Sequence, residues 1–283
     1  NHHKVRDALL KTVEMQCRLV VALCEPATSA SEVCPRWLDA VWNGIDPGIG
    51  LDFATGFYGN KIGPRSSAMR VMANATHADK QHMKRVLESQ LEFTRLFGSN
   101  PAHQLIPLDD SREPFASMRC LMEAFYDEWL QAKSNRGYPF ATAELRLADI
   151  VRAFHPLVVC PYCDGTMRTV QIDHVLPKSQ YPCLSCHPDN LAPACGGCNS
   201  VQIKGNKIPL TPNDAEIAKE WFHPHLRSGH KIIQAKPEWR TDRTLSLTLT
   251  ASTPENHQRA QKLDELLKLT AFWGADLDGD IRS

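Results

Sequence analysis

Six of the ten cysteines in this 283-residue chain fall into three Cys-x-x-Cys pairs, Cys160/Cys163, Cys183/Cys186 and Cys195/Cys198. Two residues between thiols let one tight turn present both sulfurs to a tetrahedral ion, so two such knuckles make a structural zinc site. Spacing alone leaves the choice of pairs open: Cys183 follows Cys163 at a distance closer to the generic zinc-ribbon pattern than Cys195 does. Turn chemistry favours the outer pairs. Cys160-Pro-Tyr-Cys-Asp-Gly and Cys195-Gly-Gly-Cys carry Pro and Gly where a tight knuckle needs them, and the Leu-Ser between Cys183 and Cys186 gives no such help. The expected set is therefore Zn²⁺ on Cys160, Cys163, Cys195 and Cys198. The alternatives are a disulfide, disfavoured in the cytoplasm where we expect this chain to work, and buried thiols acting as small hydrophobes. Cys183 and Cys186 read as free thiols in a loop, with a second metal shared with His187 as the alternative.

Between the two outer knuckles stand Asp173-His174 and Asn190, and Asn199 directly follows the last cysteine. Hydrolysis of a phosphodiester needs a positioned general base and a cation to neutralise charge on the phosphate and on the departing oxygen. His174 is the expected base, because an imidazole titrates near working pH. Asp173, its neighbour on the opposite side of a strand, then faces a hard divalent ion, and the Asn199 amide oxygen is a second ligand at the start of an expected helix. Mg²⁺, or Mn²⁺ in its place, suits a site with one or two protein ligands because it keeps most of its waters. Asn190 is expected to pin the backbone that orients His174. Each residue alone has a plainer reading: Asn190 as a turn cap, Asn199 as a helix N-cap.

Taken in order, these residues resemble the HNH endonucleases, the ββα-metal group, over residues 157–210. The run DHVLPKSQYPCLSCHPDNLAPACGGCN is most similar to bacterial HNH proteins that include Septu-type anti-phage nucleases. The resemblance implies a β-hairpin carrying Asp173 and His174, a loop with Asn190 and a helix beginning near Cys198. It implies His174 as general base, Asp173 and Asn199 as ligands of the catalytic metal, Asn190 as loop support, and products with 5′-phosphate and 3′-hydroxyl ends. A lysine commonly follows the Cys-Asn step closely. Here Gln202 holds that place and the first lysine is Lys204.

Helical periodicity dominates the first 155 residues. Apolar positions at helical spacing run from Val5 to Val21 and stop at Pro26, and Trp37–Trp42 predicts a short helix. Glycines and prolines break the pattern over residues 27–76, so Phe53–Lys61 is expected to be a packed loop. Longer helices are expected over Asp79–Phe97 and Arg112–Lys133, and another after Thr142. Beyond the cysteine segment the pattern predicts a short helix over Asp214–Phe222, strands at Ile232–Ile233 and Leu245–Leu249, and a last helix opened by Thr253-Pro254. The expected fold is α+β and predominantly helical: a helical partner-binding or regulatory domain (1–155), a zinc-bearing ββα nuclease core (156–212) and an extension packed on it (213–283).

Lys+Arg and Asp+Glu are equal at 32 each, so nothing global draws this chain to nucleic acid. DNA contact must come from a local patch, with Lys178, Lys204 and Lys207 as candidates, or from delivery by a partner ATPase or sensor docked on the helical domain. No apolar run approaches the ~18 residues of a membrane span. The reading is a DNA endonuclease, an effector of anti-phage defence by resemblance; the alternative is a zinc-ribbon module that binds nucleic acid or protein and cuts nothing.

Overall fold

In α1 (His2–Leu23) the predicted apolar positions Leu9, Val13 and Val20 are buried, while Leu10 and Val21, counted with them, stay exposed. This computed structural model describes residues 2–97, 103–131, 137–141, 143–154, 159–207, 221–239 and 245–274. It is a mixed α+β chain whose described strands pair into three two-stranded sheets. Two compact units divide it: one of Asn1–Phe93, Leu105–Pro156 and Leu176–Leu191, the other of Thr94–Gln104, Leu157–Val175 and Ala192–Ser283.

The first unit is built on helices α1, α2 (Pro35–Trp42), α3 (Leu51–Tyr58), α4 (Pro64–Ala73), α5 (His77–Leu91) and α6 (Glu113–Ala124). The expected loop over Phe53–Lys61 is for the most part helix α3. Its Phe53, Ala54, Phe57 and Tyr58 are buried, and burial of that face outweighs the helix-breaking tendency of Gly56. A Cβ at Gly56 would make only an ordinary 3.5 Å contact with the Trp129 ring, so the glycine is tolerated there rather than required. Pro64 does not break a helix; it opens α4 at the first turn, where its missing N–H costs nothing. The single helix expected over Arg112–Lys133 is α6 followed by a π-helical stretch, Phe125–Leu130. That stretch turns Phe125 and Trp129 into an aromatic core, with ring centroids 4.6 Å apart for both Phe57–Phe125 and Phe53–Trp129. A small hairpin, β1 (Tyr138–Phe140) and β2 (Ala143–Leu145), precedes α7 (Leu147–Phe154). Thr142 lies outside the described residues.

Residues Leu176–Leu191 complete this unit. The Gln90 side-chain oxygen accepts from Cys183 N at 3.1 Å, Gln16 Nε2 donates to Ser185 Oγ at 3.0 Å, and Ser185 Oγ donates to the Met122 carbonyl at 2.8 Å. Cys183, Leu184, Ser185 and Cys186 are fully buried, so the third cysteine pair is core. Burial pushes both of its thiols far up, as expected for inert thiols.

The second unit carries β3 (Gln171–His174), paired with β4 (Leu191–Ala194), and an antiparallel hairpin of β5 (Ile233–Trp239) and β6 (Leu245–Ala251) in register from Ile233↔Ala251 to Trp239↔Leu245. Helix α8 (Pro254–Leu267) packs on β6; Thr253 caps it by accepting from Asn256 N at 3.3 Å, with Pro254 in the first turn. Tyr162, Met167, Phe222, Leu249, Leu263 and Leu266 share its core. No helix starts at Cys198 among the described residues. Residues 196–206 run as consecutive turns, held by knuckle bonds such as Asn199 N to Cys195 O at 3.1 Å and ended by Gly205 at φ 47°. The expected helix over residues 214–222 lies almost wholly outside the described residues.

Candidate metal centre and the Asp-His strand

Four sulfurs converge. Cys160, Cys163, Cys195 and Cys198 place their ligand atoms within 4.8 Å of one another, and they form the one such His/Cys/Asp/Glu cluster among the described residues. A tetrahedral ion with zinc–sulfur bonds of about 2.3 Å sets its sulfurs about 3.8 Å apart. The Cys163–Cys195 separation is 3.8 Å, which matches the ion and is far too long for a disulfide. The first knuckle is closed by Cys160 N to Gly165 O and Asp164 N to Cys160 O, both 2.9 Å, with Asp164 at φ 55° and Gly165 close against Cys163 Sγ. Backbone donors point at the sulfurs: Cys195 N to Cys160 Sγ and Cys198 N to Cys195 Sγ, both 3.4 Å. Trp273 Nε1 donates to the Cys163 carbonyl at 2.8 Å and seats the chain's last described helical turn on this knuckle. The donor set and its geometry fit a structural zinc ion.

Among the thiols themselves, Cys160 ionises first. Hydrogen bonds from the Cys163 and Cys198 thiols hold its pKa well down, while the contact with Cys160 pushes those of Cys163 and Cys198 up. One thiolate shared by neighbouring S–H groups is the state a divalent cation replaces, because a bound ion takes the remaining ligands as thiolates.

Asp173 and His174 occupy adjacent positions on β3, so their side chains leave opposite faces of the strand. Asp173 is 3% exposed, and both of its carboxylate oxygens are engaged: Tyr162 Oη donates to Oδ2 at 2.6 Å and Lys204 Nζ donates to Oδ1 at 2.8 Å. The Lys204 ammonium, 1% exposed, also donates to the His174 carbonyl at 2.6 Å. Burial, then the Asp173 charge, push the Tyr162 phenol well above its ordinary value, so it remains a donor. A divalent ion at Asp173 does not fit this arrangement, since an ammonium already holds the carboxylate and the residue is only 3% exposed. His174 is half-buried on the other face.

The remaining predicted residues separate by unit. Asn190 is fully buried in the first: its Oδ1 accepts from Leu176 N at 2.8 Å, and its Nδ2 donates to the carbonyls of Leu176 and Leu184 at 3.0 and 3.1 Å. It thus pins the backbone two residues after His174. Asn199, half-buried in the second unit, donates from Nδ2 to Gln171 Oε1 at 3.1 Å. Gln171 and Asp173 share one face of β3, so the second knuckle delivers Asn199 to the Asp173 side of the strand. Lys178 pairs with Asp127 in the first unit. Lys204 is turned inward, and Lys207 stays exposed, its ammonium on the Gln202 carbonyl at 3.3 Å. Sequence reasoning missed Tyr162 and the inward role of Lys204. The signal available was weak: a tyrosine between two zinc ligands, and a lysine before a glycine.

Comparison with known proteins gives one match of note. The chain is 32% identical over 98 residues to Protein ea31 of Escherichia phage lambda, covering 29% of this chain and 33% of that protein, so it spans about a third of that relative's length. No family model matches the chain, and no solved structure does. None of the described helices is long and apolar enough to cross a membrane.

Proposed function

We propose that this chain is an HNH-type endonuclease that hydrolyses DNA phosphodiester bonds around a structural zinc site. The observation that carries the reading is the clamp. Four thiols from two knuckles bracket β3, so one strand bears the Asp-His pair with Asn199 delivered to its Asp173 face. In the proposed reaction the His174 imidazole accepts a proton from water as that water attacks phosphorus, and the bond to the 3′ oxygen breaks. The Mg²⁺ or Mn²⁺ that the resemblance assigns to Asp173 and Asn199 would supply charge neutralisation at the phosphate, but the Asp173 carboxylate, already held by Lys204 and Tyr162, does not fit such an ion as it stands. Zinc takes no part in the chemistry; it stands in for core that so short a segment cannot supply. By resemblance to Septu-type nucleases, the helical residues 1–155 are the docking region for an ATPase or sensor that licenses cleavage, and the setting is anti-phage defence.

The closed Asp173–Lys204–Tyr162 group favours a second reading, a zinc-dependent binding module without catalysis. Conversion of supercoiled plasmid to open circle by the zinc-loaded protein, with Mg²⁺ or Mn²⁺ and with or without chelator, separates the two. Metal-dependent nicking is expected. Binding to duplex, junction or single-stranded DNA with no strand cut under any condition would leave the second reading in place.

A further inference from the structure

A cavity of about 390 Å³ lies wholly within the second unit and takes no part in the proposed cleavage. Small-molecule sites run from about 300 to 1,000 Å³, so this one is large enough for a ligand of modest size. Tyr162, Phe222 and Trp273 line it. The polar ends of two of these residues are committed elsewhere, Tyr162 Oη to Asp173 and Trp273 Nε1 to the Cys163 carbonyl. What they offer a ligand is ring surface. Asp164 and Lys231 line the same cavity and are exposed. Among the described residues, neither of these side chains has an ion pair or hydrogen bond, with the other or with any third group.

The backbone holds both charges in an uncommon conformation. Asp164 at φ 55° and Lys231 at φ 61° are two of the three non-glycine residues with positive φ among those described. The turn around Lys231 is fixed by Gly229 O, which accepts from Ile232 N at 3.0 Å and Ile233 N at 3.1 Å. Gly229 itself packs so closely that a Cβ there would fall 2.7 Å from Ile233 Cδ1. Glycine at 231 would make the same turn without strain, whereas lysine keeps an ammonium at the cavity. Two opposite charges that share a cavity without pairing suit a ligand that is flat, anionic at one end and a hydrogen-bond donor at another.

We propose that this cavity binds one nucleoside monophosphate unit. The base stacks on the aromatic lining, the phosphate meets the Lys231 ammonium, and a base amino or sugar hydroxyl group donates to the Asp164 carboxylate. The unit is a free nucleotide or the phosphorylated end of a single strand, which present the same chemistry. This goes beyond the nuclease reading and stands whether or not the chain cuts DNA.

The test is calorimetric titration of the zinc-loaded full chain, with tryptophan fluorescence as a second signal. The probes are deoxyadenosine monophosphate, deoxyadenosine, inorganic phosphate and a 5′-phosphorylated single-stranded oligonucleotide. The monophosphate should bind once per chain, and deoxyadenosine and inorganic phosphate each about tenfold more weakly or worse, since each lacks one set of contacts. Lys231→Gly suits the turn and should leave the melting temperature no lower. It should weaken the monophosphate about tenfold and leave deoxyadenosine unchanged. Asp164→Asn, which tolerates the same backbone conformation, should weaken both. An oligonucleotide that competes with the monophosphate and shows the same loss in Lys231→Gly assigns the site to strand ends; one that is ignored assigns it to the free nucleotide. The proposal is overturned by no binding of either nucleotide probe, by inorganic phosphate binding as tightly as the monophosphate, or by monophosphate binding indifferent to Lys231→Gly. Plasmid nicking is scored separately, so either reading can fail without the other.

Discussion

His174 bears its proposed role through its side chain alone, because the bond from Lys204 goes to its carbonyl. His174→Ala is therefore expected to abolish nicking, keep one zinc per chain and change stability by less than about 1 kcal/mol, as for other half-buried positions; metal analysis and urea unfolding read the last two. Retained nicking would exclude it as the base. Asn190 is the opposite case. Three hydrogen bonds hold it in a fully buried position, and Asn190→Ala leaves Leu176 N–H and two carbonyls without their partner. The expected loss is about 2–4 kcal/mol in urea unfolding, from stranded backbone groups; a loss below about 1 kcal/mol would mean water replaces the amide. Among single residues, what was legible in the sequence was chemistry tied to local spacing: thiols two apart, a dyad, an asparagine after a cysteine. What was hidden was the link among Tyr162, Asp173 and Lys204, which no periodicity joins and which only the folded knuckles bring together.

The elements were readable where their ends announce themselves. Thr253-Pro254 opens α8 as its capping chemistry predicts; α5, expected from Asp79, instead opens at His77, capped by Thr76 accepting from Asp79 N at 3.2 Å. Helices α3 and α4 were not readable. Gly56, Gly59, Gly63 and Pro64 look like punctuation in sequence, yet Gly56 lies inside α3, whose buried aromatic face outweighs it, and the proline starts a helix. The helix expected after Cys198 failed for a related reason: knuckle bonds and Gly205 commit that stretch to turns. One short element carries a pH prediction. The 3₁₀ turn Pro188–Asn190 is capped by His187 Nδ1, which accepts from Asp189 N at 3.2 Å. Burial, opposed by the Asp189 charge, lowers the His187 pKa to about 4, against about 6.5 in an unfolded chain. The folded value is depressed, so the unfolded chain takes up this proton first. The stabilisation from neutral His187 is complete above about pH 6.5, falls as pH drops towards 4 and changes no further below, to a total of about 3 kcal/mol at most. His187→Asn, which keeps an acceptor for Asp189 N, should flatten that part of the stability–pH profile. An unchanged slope would assign it to other groups.

At the scale of the whole molecule, the four-thiol site belongs to one compact unit and the larger helical core to the other. Structural zinc contributes about 10–16 kcal/mol apparent in small metal-binding peptides, enough to decide whether a unit of modest core folds. Chelation, or Cys160→Ser, is expected to disorder the second unit selectively. The near-ultraviolet signal of Trp221, Trp239 and Trp273 should collapse, while that of Trp42 and Trp129 and most helical ellipticity persist. A Cys160→Ser chain that keeps its zinc and its full tryptophan spectrum would remove the tetrad. The α+β character was plain from the sequence, because helical periodicity and knuckle spacing are both local. The split of residues between units was not, since it depends on which buried partners a segment finds far along the chain.

The path of residues Leu176–Leu191 has a practical corollary. This stretch leaves the Asp-His strand, nests among Gln16, Gln90 and Met122, and returns to the second knuckle. Excising 157–212 as a minimal enzyme would carry away Cys183, Leu184 and Ser185 stripped of their shelter, a sticky apolar tongue on a small zinc-bound scaffold. Such a truncation is expected to precipitate, and anyone seeking a portable cutter from this chain should first redesign that tongue.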